Sequence, residues 1–284
     1  GMFLQQSLSL LSGAPLKVWG FNDPRTIQLI GEATAASFRD RNAYFGDPDN
    51  LQADLSKLLE PEYLSERRRQ ISSTSRSNVH LGNTSETSES TETTHFSVID
   101  QWGGAVSCTT TLNSNFGAKV MAAGILFNNE MDDFAAQPGK ANQFGLVQSS
   151  ANAIVPGNRP LSSMAPTIVL QDGKVDAVIG SPGGPTILST VLQVILNRYV
   201  FDMNPTQAVA APRFHRQDLP IYIKYEWNRI DMASRNRLRQ FNQPLKKVSG
   251  LGLVNAVFNY NGKWHAIADR RGDGWAHSML ENEL

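Results

Sequence analysis

From Ser72 to Glu92 the chain reads SSTSRSNVHLGNTSETSESTE, and at Thr93 it passes without a spacer into TTHFSVID. The tract carries almost no apolar side chain whose burial would offset the entropy of ordering it, so a flexible surface linker is expected. The segment behind it is of the opposite kind. Phe96, Val98 and Ile99, then Ala105, Val106, Cys108 and Leu112, are rich in β-branched and aromatic types, with Gly103-Gly104 between them. That pattern predicts a β-hairpin. A linker that delivers Thr-Thr into a strand also has a chemical reading. If the bond before Thr93 is cut, Thr93 becomes an N-terminal threonine. Its hydroxyl is then a nucleophile and its own α-amine, with a pKa near ~8, the base.

The rest of the chain alternates helix and hairpin signals. Apolar residues at helical spacing run from Phe3 to Leu11 and stop at Gly13. Asp23-Pro24 opens a helix expected to reach Tyr44, burying Ile27, Ile30, Thr34 and Phe38. A further helix is expected from Pro61 to Ile71, its Arg67-Arg68-Arg69 run read as a solvated end rather than an anion site. Ala122 to Phe127 reads as a strand, and 137–158 as a loop rich in Gly, Pro and Ser. Asp172-Gly173 and Asn261-Gly262 each separate two strand-like runs and mark two-residue hairpins. Ile187 to Leu196 and Pro205 to Ala211 read as helices, as does Asp231 to Phe241, with a strand at Tyr222 to Glu226. Paired strands and separate helix groups give an α+β chain built in stacked layers.

Several classes are excluded at this level. Lys+Arg and Asp+Glu are 26 each, so neither nucleic acid nor an anionic membrane is indicated as partner. No apolar run approaches the ~20 residues of a membrane span, and the opening GMFLQQSLSLLSG lacks the basic start of a signal peptide. The single cysteine, Cys108, lies in an apolar-patterned strand and is expected to be a small buried side chain. His80, His95, His215, His265 and His277 are scattered without ligand spacing, so neither a metal nor any other cofactor is expected.

Five motifs carry a resemblance: TTHFSVID at Thr93, TLN at Thr111 to Asn113, NNEMDDF at Asn128 to Phe134, RPLSSM at Arg159 to Met164 and GSPGG at Gly180 to Gly184. In order and spacing they are similar to γ-glutamyltransferase (γ-glutamyltranspeptidase), of the N-terminal-nucleophile hydrolases, whose precursors cut themselves before the catalytic threonine. The similarity runs from about Phe3 to about Arg271 and thins after Pro220. The resemblance implies an α/β/β/α sandwich, truncated at its N-terminal side. Residues 1–92 would be the end of the large-subunit region, with the linker at 72–92, and 93–284 the small catalytic region, together one structural domain. Most of the large subunit has no counterpart here.

The same resemblance implies roles. Thr93 would be the nucleophile and Thr111 the residue orienting its hydroxyl. Backbone N–H groups at Gly183 and Gly184, beside a helix start, would receive the oxyanion. Asn113, Glu130 and Asp133 would surround the α-ammonium of a γ-glutamyl group, with Ser162 and Ser163 donating to its α-carboxylate. Phe144 stands where many bacterial members carry a lid tyrosine. The arginine that clamps the carboxylate lies in the absent region, so no residue here is assigned to it. His95 falls on the same strand face as Thr93 but ~7 Å along, too far for direct proton transfer, so the α-amine is preferred as base and His95 is read as structural.

The expected function is γ-glutamyl transfer or hydrolysis, acting on glutathione and similar donors, with water, amino acids or peptides as acceptors. The remaining large-subunit portion is a possible partner, and a periplasmic or extracellular place follows from the family. Two alternatives stand: another acylase of the superfamily, acting on glutaryl-cephalosporins, or a catalytically impaired fragment. Glutaryl lacks an α-ammonium, so Glu130 and Asp133 argue for glutamyl. Without the structure that would strain the linker across Thr93, slow or absent cutting is expected.

Overall fold

The computed structural model describes residues 1–71, 93–227 and 229–278, so the tract at 72–92, expected to be a linker, lies outside the described residues. In chain order the helices and strands are α1 (Met2–Leu11), α2 (Leu16–Trp19), α3 (Pro24–Tyr44), α4 (Pro61–Gln70), β1 (Thr94–Ile99), β2 (Ala105–Thr110), β3 (Met121–Ala122) and β4 (Ile125–Leu126). There follow β5 (Thr167–Gln171), β6 (Lys174–Gly180), α5 (Thr186–Tyr199), α6 (Pro205–Ala210), β7 (Phe214–His215), β8 (Ile223–Glu226), α7 (Met232–Gln240), β9 (Leu245–Val248), β10 (Asn255–Tyr260) and β11 (Lys263–Ala268). They divide into two compact units.

The first unit comprises Gly1–Glu89, Asn129–Ser162 and Phe214–Ser249. Its axis is α3, which starts where Asp23 accepts the Arg25 N–H at 2.9 Å and Pro24 supplies a preset φ. Ile27, Ile30, Thr34 and Phe38 form its buried stripe, and Phe38 meets Phe3 of α1 at 4.7 Å between ring centroids. Burying a phenylalanine of this kind stabilises by roughly 2–3 kcal/mol. The arginine run on α4 is a solvated end only in part: Arg68 and Arg69 are exposed, and Arg67 is not. Arg67 pairs with Asp40, a fully buried carboxylate on α3 that also accepts from Gln6 at 2.7 Å. Arg68 donates to the Leu10 and Ser9 carbonyls of α1 from an exposed position, and Arg69, paired with Glu66, is exposed as well. The buried acid on α3 needs a cation, and that need outweighs solvation of the helix end. A small sheet completes the unit: β8 pairs antiparallel with β7 and parallel with β9, α7 being the crossover that a parallel pair requires.

The second unit comprises Ser90–Asn128, Ser163–Arg213 and Gly250–Leu284. Its sheet runs β11-β10-β6-β5, all antiparallel. Asp172-Gly173 and Asn261-Gly262 turn its hairpins with positive φ at both residues (51° and 77°, 54° and 74°), the twist-matched geometry their sequences signal. The β1-β2 hairpin lies across this sheet: Ser97 donates to the Asn255 carbonyl at 3.0 Å and Ser107 to the Ile179 carbonyl at 3.1 Å. On the other side α5 packs Ile187, Val191 and Leu192 beneath β6, whose Ala177, Val178 and Ile179 are fully buried. This unit is therefore hairpin, sheet and helix in layers.

Two local expectations are corrected. Residues 122–127 are not one strand, because Ala123 and Gly124 take φ of 50° and 77° and fold the segment into the β3-β4 pair. Cys108 is only partly buried, since Ser107 and Thr109 take the inward positions of β2. Among the described residues no helix is long and apolar enough to cross a membrane.

Candidate active site

Thr93 directly precedes β1 and is buried. Its hydroxyl donates to Thr111 Oγ1 at 3.0 Å, and the Asn113 N–H donates to the same oxygen at 2.8 Å. The hairpin makes this possible: Thr94 faces Thr110 in the register, so the residues just beyond the last rung are Thr93 and Thr111. Asn113 is buried with φ 72°, a conformation asparagine tolerates better than most residues. Thr93, Thr111 and Asn113 are thus brought together.

His95 is occupied elsewhere. Nδ1 lies 2.8 Å from Thr109 Oγ1 and Nε2 3.0 Å from Ser97 Oγ. Ser97 gives its own proton to the Asn255 carbonyl, so it accepts from Nε2–H, and Nδ1 accepts the Thr109 hydroxyl. Burial pushes the imidazole down to about 4, and it stays neutral near pH 7. Gly180 admits the ring: a Cβ there would stand 2.1 Å from His95 Cε1. With both nitrogens engaged, His95 braces β1 against β2 while its ring packs on Gly180 of the sheet.

Gly183 and Gly184 have φ of 130° and 55° and stand just before α5, whose first residue is Thr186. Their carbonyls accept from Thr186 and Ile187, closing the turn that leads into the helix. At Gly183 a Cβ would meet Thr186 Oγ1 at 2.6 Å, so both the φ and the space require glycine. Ser163 belongs to this unit as well, at its boundary.

The remaining candidates belong to the first unit. Glu130 and Asp133 lie on a single 3₁₀ turn, Glu130–Asp133, anchored by the buried Phe134 that follows it. Burial and the Glu130 carboxylate push Asp133 up to about 7, Arg41 of α3 pulls it down, and Asp132 pushes it up again. Burial raises Glu130 too, although its hydrogen bond with Asp133 opposes that. The turn therefore holds its acids close to the point where one proton is shared at neutral pH. Asp132 accepts the Gln143 N–H at 3.2 Å, and Asn142 Oδ1 accepts from Phe144 and Leu146 at 3.0 Å each. Phe144 thus sits in a tight turn tied to the acidic one. Ser162 is exposed, one residue after Leu161.

Two residues of this constellation escape a reading from sequence. Arg41 and Asn152 are both almost fully buried beside the acidic turn. Arg41 had a signal: it falls three residues after Phe38, on the stripe that α3 buries. Asn152 had none, since it lies in a loop without periodicity.

Over residues 1–279 the chain matches the family model described as Gamma-glutamyltranspeptidase. The chain belongs to the γ-glutamyltranspeptidase family. The glutathione hydrolase proenzyme of a Pseudomonas species is 43% identical over 228 residues, 78% of this chain and 39% of that protein. That of Escherichia coli is 42% identical over 231 residues, 80% of this chain and 40% of that protein. The chain therefore spans about two fifths of the length of these relatives. A mutant γ-glutamyltranspeptidase of Helicobacter pylori, known from a crystal structure, is 44% identical, with a TM-score of 0.61 over 63% of this chain and 100% of that one. A cephalosporin acylase from Bacillus halodurans, only 20% identical, superposes with a TM-score of 0.80 over 98% of this chain and 49% of that one. At that identity the likeness concerns fold alone. The fold is the α+β fold of N-terminal-nucleophile hydrolases.

Proposed function

We propose that the chain carries the catalytic half of a γ-glutamyl-transferring enzyme, with Thr93 as nucleophile once the bond before it has been cut. The observation that carries this reading is the buried Thr93 hydroxyl held at 3.0 Å by Thr111 at the head of β1. Thr93 Oγ attacks the γ-carbonyl of glutathione or a similar donor, and its proton passes to the α-amine of Thr93. The oxyanion is received by the N–H groups about Gly183 and Gly184. Collapse expels the amine, which takes back the proton, and leaves a threonyl ester. Water or an amino acceptor then attacks that ester, releasing glutamate or a new γ-glutamyl amide and restoring the hydroxyl.

Asn113, Glu130 and Asp133 are the groups suited to the α-ammonium, an amide oxygen and two carboxylates. Ser162 and Ser163 are suited to the α-carboxylate, and Phe144 to covering the bound donor. The same family reading gives a periplasmic or extracellular place, and a partner in the rest of the family's large subunit. Residues 1–92 and 93–284 are proposed as the large- and small-subunit parts of one domain. The test is glutathione hydrolysis by the chain, alone and with a complementing large-subunit piece. Activity lost in Thr93→Ala and kept in part in Thr93→Ser supports the reading, and activity unchanged in Thr93→Ala rejects it.

A further inference from the structure

Arg41 occupies a position where the α3 pattern asks for an apolar residue. It extends the stripe of Ile27, Ile30, Thr34 and Phe38, and it is 2% exposed. Nη2 donates to the Leu161 carbonyl at 3.3 Å and Nη1 to Asn42 Oδ1 at 3.4 Å. Asn152, also 2% exposed, closes the circuit from the other side. Its Nδ2 donates to the Asp133 carbonyl at 2.7 Å, and its Oδ1 accepts the Leu161 N–H at 3.1 Å. Two buried side chains thereby tie the acidic turn and the segment entering Ser162 to one another and to α3. Burying a guanidinium costs several kcal/mol, and an apolar side chain of similar volume would pack α3 without that cost. Packing alone therefore does not account for the charge.

We propose that Arg41 is a positioning residue for the donor subsite, holding the Leu161 carbonyl that precedes Ser162 on the carboxylate side and supplying the counter-charge that lets Asp133 serve as an anion for the substrate ammonium. This rests on the functional reading above. Three charged groups act on Asp133: Glu130 and Asp132 from its own turn, and Arg41 from α3. The two acids favour a protonated Asp133, which offers an ammonium no charge; Arg41 opposes them. Burial lowers Arg41 to about 10, so it remains a cation through the neutral range.

Carboxyl carbon NMR titration of the full chain, with Asp133 assigned through Asp133→Asn, measures this without requiring turnover. Arg41→Gln keeps a donor for the Leu161 carbonyl and removes the charge; Arg41→Lys keeps the charge and removes the fork. The Asp133 midpoint should rise by about one pH unit or more in Arg41→Gln and by clearly less in Arg41→Lys. Glutathione binding by calorimetry at pH 7 should weaken about tenfold in Arg41→Gln and recover as the pH is raised, which a merely structural lesion would not do. The wild-type chain gives a reading that needs no variant: the Arg41 guanidinium nitrogen resonances should titrate with the Asp133 midpoint. An unmoved Asp133 midpoint in folded Arg41→Gln, or Arg41 resonances blind to that midpoint, overturns the assignment. Absence of glutathione binding by the wild type at every pH, both alone and with a complementing large-subunit piece, rejects the functional reading and the subsite with it, a different result from binding that persists with Asp133 unmoved.

Discussion

Thr93 and Thr111 are joined hydroxyl to hydroxyl at 3.0 Å across the open end of the β1-β2 hairpin, and the Asn113 N–H fixes the second of them at 2.8 Å. The proposed nucleophile is thereby oriented by a group that is itself anchored to the backbone. Thr111→Val keeps the shape and deletes the hydrogen bond, so glutathione turnover should fall by ~10²-fold with KM little changed. Thr111→Ser should retain most of the rate. Steady-state kinetics with a circular dichroism check on folding measures both.

Gly180 and His95 make a second pair. Gly180→Ala brings a Cβ to 2.1 Å from the ring, so the imidazole must leave Thr109 and Ser97. A loss of about 2–3 kcal/mol is expected in urea unfolding. In the His95→Ala background the same glycine change should cost much less, because the methyl group then enters vacated space. Additive losses would show that the two do not meet.

Acid should weaken the fold through two buried histidines. Burial lowers His95 to about 4 and His215 to about 3, below the ordinary 6.5. Between those values and 6.5 the unfolded chain binds protons that the folded chain does not, so stability falls as the pH drops through that window. Thermal melts at pH 7 and pH 5 should show the decline, and His95→Gln should make it shallower.

Asp133 gives the proposed donor site its own pH dependence. Held up to about 7, it must lose a proton before it can pair with an ammonium. Affinity for a γ-glutamyl donor should therefore rise with pH through about 7. A glutaryl analogue, which lacks the ammonium, should show no such rise. Asp133→Asn should flatten the profile and damage γ-glutamyl binding far more than glutaryl binding. Calorimetry across pH 6 to 8.5 separates these outcomes, and equal damage to both ligands would point to an acylase of the glutaryl kind.

Much of this architecture is legible in the residues themselves. Asp23-Pro24, Asp172-Gly173 and Asn261-Gly262 mark boundaries because each fixes a local dihedral or a capping bond, and α3 and the two-residue hairpins begin or turn there. What stayed hidden depends on distant partners. Nothing local in Arg67-Arg68-Arg69 reveals that Asp40 lies buried within reach, and β7 and β9 are too short to show a period. In the candidate site, the threonines and acids stand out by motif. Arg41 and Asn152 do not, since their importance comes from burial and from the carbonyls they hold.

The central claim is that Thr93 is a nucleophile able to free its own amine. Intact mass and N-terminal sequencing of the purified chain, followed over days, tests it most directly. The account predicts a slowly accumulating fragment that begins at Thr93, none from Thr93→Ala, and glutathione hydrolysis that grows with the cut fraction. Cutting of Thr93→Ala at the wild-type rate, or hydrolysis by a chain that remains whole, would contradict it.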